Sequence, residues 1–356
     1  MQFWSGYCSE NIAPKDSDIQ YYDVNNKPFE IFGICEKQKD NFYRLPHEVA
    51  ANVSGGVLDH SHETAGVRVR FATNSPYVAL KAEFEKFSPS PHVTFIASKG
   101  FDLYVEKDGV ITFNNSFYPP LDTDLSLKGI TRFNDIQTRN FILDFPIGTP
   151  VKSLKIGIKE GSILVEPDKY KISNPIVFYG SSITQGFAAS RPGNIYENFI
   201  SRSLNADYIN LGFSGCAMGE KKMAEYISNL SMSAFVLDYD HNAPSIEHLK
   251  NTHYVFYKTV RDKNPNLPII LVSRPERRYH SDIIGRRKVI LDTYMRAISE
   301  GDTNIHFVDG TTFFPLEARY DCTVDDCHPN DMGMYNIAKG IERVLSKIKL
   351  NSEGID

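Results

Sequence analysis

The chain has 356 residues, 41% of them hydrophobic, and a formal net charge of -5. That length makes two domains the natural expectation, and the small acidic balance gives no electrostatic footprint for nucleic acid. No apolar run approaches the ~20 residues of a membrane-spanning helix.

The first half reads as β structure. Val67, Val69 and Phe71 alternate with Arg68 and Arg70, the period of a strand with one face buried and one in solvent. Val78, Leu80, Ala82 and Phe84 repeat the pattern against Lys81, Glu83 and Glu85. Phe101, Leu103 and Val105 do so again, and Asp108-Gly109 turns that run into Val110–Phe113, a strong hairpin signal. Leu154, Ile156 and Ile158 alternate with lysines in a late strand. Short strands, frequent Gly, Pro and Asn breaks and almost no helical period predict a β-sandwich, placed at residues 1–172.

From 173 to 356 the texture is α/β. Strands are predicted at 175–180, 207–213, 234–240, 268–273 and 305–309. Between and after them come helices near 194–204, 219–230, 246–263, 282–299 and 333–348. This alternation implies right-handed crossovers and a mainly parallel sheet. In such sheets ligands bind beyond the carboxyl ends of the strands, so the residues found there carry the functional reading. The first strand, Ile176-Val177-Phe178-Tyr179, runs into Gly180-Ser181-Ser182. The second runs into Gly212-Phe213-Ser214-Gly215, the third into Asp240-His241-Asn242, and Asp325-Asp326-Cys327-His328-Pro329 precedes the last helix. A serine, a backbone glycine, an asparagine and an Asp/His pair on one rim fill the slots of acyl transfer: nucleophile, base, base-orienter and oxyanion donors.

These blocks resemble the SGNH (GDSL-type) hydrolases, whose motifs fall in the order Ser, Gly, Asn, Asp-x-x-His. The chain supplies GSSITQG at 180–186, NLGFSG at 210–215, DHN at 240–242 and DDCHP at 325–329. The longer string GSSITQGFAASRPG resembles a branch with an N-terminal Gly-x-Asp-Leu-Tyr domain, and Gly100-Phe101-Asp102-Leu103-Tyr104 matches that signature. The resemblance implies a jelly-roll-like β-sandwich followed by a three-layer α/β/α hydrolase domain. It implies Ser182 as nucleophile, His328 as general base and Asp325 as its orienting carboxylate. The oxyanion donors would be the N–H groups of Ser182 and Gly215 and the side-chain amide of Asn242. Ser181 stands where the family usually has Asp, which leaves Ser181 or Ser182 as nucleophile to be tested.

Other residues carry weaker signals. Arg191 and Arg274 lie near strand ends, where a guanidinium can bind a carboxylate or sugar hydroxyls. His241 is expected in a structural or pocket-lining role, and Arg277 and Arg278 in a solvated loop. Asp238 and Asp240 alternate on a strand with no ligand cluster nearby, so no metal is expected, and acyl transfer of this kind needs no cofactor. The five cysteines, Cys8, Cys35, Cys216, Cys322 and Cys327, are scattered and suggest free or buried thiols; whether Cys322 and Cys327 pair stays open. The opening MQFWSGYCSEN has no basic segment followed by an apolar one, so no secretory leader is expected and cytoplasmic residence is the default. The resemblance implies a serine esterase acting on small-molecule or oligosaccharide esters, most often O-acetyl groups, without a nucleic-acid or membrane partner. A lipase or thioesterase on longer acyl groups and a carbohydrate-binding protein without catalysis are the alternatives. The sandwich would either bind carbohydrate itself or wall the cleft, the second being favoured.

Overall fold

The computed structural model describes residues 18–37, 41–121, 124–275 and 281–350. The N-terminal part forms two antiparallel sheets. One orders the strands Ile19–Asp23, Val151–Lys159, Tyr77–Phe84 and Ser126–Arg132. The other orders Leu164–Val165, Arg68–Thr73, Arg139–Asp144, Phe101–Lys107 and Val110–Phe117, with Glu30–Phe32 added beside Arg68–Thr73. The apolar sides of the alternating runs meet between the sheets: Val67, Val69 and Phe71 from one, Val78, Leu80, Leu154, Ile156 and Ile158 from the other. The hairpin turn at Asp108-Gly109 has positive φ at both residues, which suits the right-handed twist of its strands.

The C-terminal part is a five-stranded parallel sheet in the order Ala206–Gly212, Ile172–Gly180, Ala234–Asp238, Ile269–Val272, Ile305–Val308. Alternate residues of the strand Ile172–Gly180 feed two cores. Ile176 and Phe178 pack with the helices Tyr196–Leu204 and Asp331–Leu345, through Tyr196, Ile200, Ile337 and Ile341. Val177 and Tyr179 pack with the helices Lys221–Ile227, Ile246–Lys263 and Ser281–Ser299, through Met223, Leu249, Phe256 and Ile290. Both faces being covered explains why these strands read as continuous apolar runs. No helix among the described residues is long and apolar enough to cross a membrane.

Two expectations need correction. Arg68 and Arg70 do not face solvent; they are at most 1% exposed. The outward face of their strand lies against the C-terminal domain, where Arg68 donates to Tyr208 O at 3.2 Å and to the Asp207 carboxylate, and stands 4.0 Å over the Tyr208 ring. The N-terminal half is also not free of helix. His47–Val53 and Gly55–Ser61 are helical, and Ala50 and Val57 from them, with the preceding Leu45, belong to the core of the parallel sheet.

The strongest tie between the two parts is Arg44, which is fully buried. Its Nη1 donates to Asn210 O at 2.9 Å and Gly212 O at 2.8 Å, its Nη2 to His60 O at 2.5 Å, and its Nε to Glu63 O at 2.8 Å. Burial presses its pKa down to about 10, against the opposing charge of Glu63, so it is still a cation at neutral pH. Arg44→Met keeps the stem and strands several buried carbonyls, each costing about 1–3 kcal/mol when unsatisfied. It should lower stability by about 3 kcal/mol or more, read from the urea midpoint. An unchanged midpoint would refute the role.

Candidate active site

The strand order places the strand Ile172–Gly180 where the sheet's connections reverse, with its successor on one side and the third strand on the other. Crevices at that switch point are where open α/β sheets bind ligands. Gly212, at the end of the neighbouring strand, admits the turn after Gly180: a Cβ there would meet Gln185 N at 2.2 Å.

Ser182 begins the one-turn helix Ser182–Gln185. Ser181 is its N-cap, and its Oγ accepts the Ile183 N–H at 3.2 Å. The two serines thus divide the work: one hydroxyl closes the turn, and the other lies 3.0 Å from His328 Nε2. His328 Nδ1 is 2.7 Å from Asp325 Oδ2, while Asp325 Oδ1 accepts the backbone N–H groups of His328 at 2.7 Å and Cys327 at 3.1 Å. Partial burial pushes the Asp325 carboxyl up, but the N–H and ring of His328 outweigh it and hold the pKa below its ordinary value. Asp325 is therefore an anion at neutral pH. The three-residue spacing works because the loop folds back on itself: Val324 N–H donates to His328 O at 3.0 Å, Thr323 bridges Pro329, and Asp326 takes φ 73°. Asn330 then caps the helix Asp331–Leu345.

Gly215 has φ 67°, and a Cβ on it would meet nothing within 4 Å, so it borders open space. Neither its N–H nor that of Ser182 has a backbone acceptor among the described residues. Asn242 Nδ2 donates to Phe213 O at 2.9 Å, which fixes its amide beside the same turn and leaves it a second hydrogen. Gln185 braces the turn from below, accepting the Ser214 N–H at 2.9 Å and donating to the Glu63 carboxylate. Concavities of about 470 Å³ between Met218 and Val255 and about 460 Å³ between Asn229 and Pro268 lie elsewhere. Neither brings a hydroxyl onto an imidazole, so chemistry rather than volume marks the site.

His241 lies beside the site, its Nδ1 3.9 Å from Cys327 Sγ and its Nε2 buried without a hydrogen-bond partner. Burial, reinforced by the positive charge of Arg274 and by His328, holds its pKa well below the ordinary value, so the ring is neutral. Arg274 is near enough to act on it, and its N–H donates to Asp240 Oδ2 at 3.1 Å. Asp238 is buried against Thr184 Oγ1 and Tyr196 OH, each at 3.3 Å. Cys35, Cys216, Cys322 and Cys327 are all free thiols, which answers the open question of the last two. Arg277 and Arg278 lie outside the described residues.

Arg191 is the clearest departure. As a candidate substrate ligand it would need a free guanidinium; instead Nη1 donates to Asp102 Oδ2 and Tyr104 OH, both at 2.7 Å, and the group lies 4.0 Å over the Phe113 ring. Asp102 also accepts the Gly193 N–H at 2.8 Å and the Ser116 hydroxyl at 2.6 Å. The Gly-x-Asp-Leu-Tyr signature is therefore a clamp on the loop that follows Ser182. Asp331 holds the same loop from the other side, accepting from Ser190 N at 2.8 Å and Asn194 Nδ2 at 2.8 Å. Sequence reasoning assigned no role to Gln185, although it lies within GSSITQG, and missed Asp331 and His92, a sandwich residue whose ring is parallel within 16° to that of His328; no spacing or motif marks the last two.

Residues 173–346 match the GDSL-like Lipase/Acylhydrolase family, and residues 19–164 match the N-terminus of Esterase_SGNH_hydro-type. The chain belongs to the SGNH-type esterases and acylhydrolases, in the branch with a GxDLY N-terminal domain. Among solved structures it is similar to a Bacteroides ovatus ATCC 8483 protein described as a GDSL-like lipase, with 27% identity over 94% of this chain and 99% of that one and a TM-score of 0.85. It is similar in fold to the salicylyl-acyltransferase SsfX3 of a tetracycline biosynthetic pathway, at 20% identity, 94% and 98% coverage and TM-score 0.78. It is also similar in fold to the acetyl xylan esterase Est2A of Butyrivibrio proteoclasticus, at 16% identity, 92% and 98% coverage and TM-score 0.59. No curated protein matches the chain.

The clamp includes a buried acid with a measurable signature. Burial pushes Asp144 up to about 7 from an ordinary 3.8, with Arg202 opposing and Asp102 adding to the rise, and its Oδ1 has no partner. The folded state holds this proton more tightly than the unfolded chain, so the contribution of Asp144 to stability falls as pH rises from the ordinary carboxylate range through about 7. Asp144→Asn should flatten the loss of Tm between about pH 5 and about pH 8, checked by thermal melts; an unaltered slope would contradict it.

Proposed function

We propose that the protein is a serine esterase that removes small acyl groups, above all O-acetyl, from carbohydrate through a Ser182–His328–Asp325 triad. The observation that carries this reading is the continuous relay from Ser182 Oγ to His328 at 3.0 Å and from His328 to Asp325 at 2.7 Å, set beside two N–H groups without backbone acceptors. Ser182 attacks the ester carbonyl as His328 takes its proton. The developing oxyanion accepts from the N–H groups of Ser182 and Gly215 and from the Asn242 amide. His328 returns the proton to the leaving alcohol, and water repeats the sequence on the acyl-enzyme. Asp325, kept ionised by its N–H donors, holds the imidazole's orientation and stabilises the imidazolium. The acetyl and carbohydrate part rests on the fold shared with an acetyl xylan esterase. A lipase or thioesterase on longer acyl groups is the main alternative.

Hydrolysis of 4-nitrophenyl acetate, butyrate and octanoate separates the two, with turnover expected to fall as the chain lengthens. Ser182→Ala should reduce turnover to background; wild-type activity in that variant would sink the triad. Octanoate preference would favour the alternative. Asn242→Ala should lower kcat by about 10²–10³-fold with little change in KM, a loss confined to KM being the contrary result.

A further inference from the structure

We propose that His92, a residue of the β-sandwich, is a specificity residue that contacts the leaving alcohol of the ester; this rests on the triad reading above. His92 ends the loop FSPSPH between the strand Tyr77–Phe84 and the helix Phe95–Lys99. The backbone just beyond it is pinned to the hydrolase domain. Val93 is buried in the core that contains Ile183 and Ala189, and Thr94 Oγ1 donates to Ser190 O at 2.6 Å while accepting the Ala97 N–H at 3.0 Å. Between those anchors and the proline before it, the His92 side chain stays 49% exposed at the triad. Its Nδ1 is 3.8 Å from Asp325 Oδ2, and its ring lies parallel to that of His328 with centroids 6.0 Å apart.

Two demands of acyl transfer decide which part of the substrate passes this ring. The carbonyl oxygen must sit at the N–H donors of Ser182, Gly215 and Asn242, which places the acyl side of the ester among the strand ends. The leaving oxygen must come within reach of His328 Nε2, because that nitrogen protonates it. The alcohol therefore projects past the imidazole of His328, and His92, half exposed with its ring parallel to that imidazole at 6.0 Å, is a polar group of the sandwich beside it. An imidazole offers one donor and one acceptor when neutral, a match for the hydroxyl groups of a sugar or polyol. A contact with the alcohol acts in acylation and is gone once the alcohol has left, so it distinguishes esters that share an acyl group.

The test compares 4-nitrophenyl acetate with 6-O-acetylglucose, a sugar ester that keeps its other hydroxyls free; both pass through the same acetyl-enzyme. His92→Ala should lower kcat/KM on the sugar ester about tenfold more than on the aryl ester, the size of one lost hydrogen bond. His92→Gln, which keeps a donor and an acceptor, should recover part of the difference, and burst kinetics should place the loss in acylation. Equal losses on both esters would overturn the proposal and make His92 a residue that only positions His328. No loss on either ester would overturn it too, as would a wild type that turns over the aryl ester but not the sugar ester. Ser182→Ala run in the same panel separates the two levels: activity surviving there removes the triad reading, whereas an inactive Ser182→Ala beside indifferent His92 variants removes only this one.

Discussion

A buried arginine from the first domain supports the rim on which the second domain's chemistry depends. Arg44 gives its guanidinium to the carbonyls of Asn210 and Gly212 on one side and of His60 and Glu63 on the other. A charge removed from water is costly unless its donors are satisfied, so the guanidinium keeps all four carbonyls in place. Asn210 in turn donates to Thr184 O at 2.5 Å, and Gln185 ties the neighbouring turn to Glu63 and Ser214. The segments after Ser182 and before Gly215 are thus tied, through Asn210 and Gly212, to one cation. The oxyanion donors proposed at Ser182 and Gly215 need a frame that does not reorganise during reaction, and Arg44 braces that frame from the first domain.

The rest of the domain contact follows the same logic. Arg68 meets Asp207 and Tyr208, and Asp102 meets Arg191 and Gly193. On the sandwich's outward face Arg68 and Asp102 take partners from the strand Ala206–Gly212 and from the loop after Ser182, while Arg70 pairs with Glu106 of the sandwich itself. The arrangement makes the sandwich part of the catalytic framework, since the loop from Phe187 to Asn194 is held by Asp102 on one flank and Asp331 on the other.

How much of this was legible depended on whether the deciding contact was local. The parallel strands showed as apolar runs because each is covered on both faces, and the four blocks stood out because they follow strand ends in order. The sandwich core, from Val67 to Ile158, was readable from alternation alone. The polar side of the same alternation misled: Arg68 and Arg70 read as solvent-facing because sequence period tells which residues share a face and not what covers that face. Arg191 failed for a related reason, its partner Asp102 being 89 residues away. The helices His47–Val53 and Gly55–Ser61 were hidden because they are short and take their burial from another domain's core.

The same distinction bears on how such a protein acquires a substrate. The groups proposed to handle the carbonyl are backbone N–H donors and short side chains at strand ends, braced by Arg44 and Gln185. Groups that border the opposite side of the imidazole come from loops such as Phe87–Thr94, whose fixed points are Val93 and Thr94 and whose remaining side chains are largely exposed. Loops carried on a rigid scaffold vary with little cost to the fold, whereas the rim they face cannot. On the proposed reading, acyl-transfer chemistry is built into the parallel sheet, and the identity of the alcohol is delegated to the sandwich.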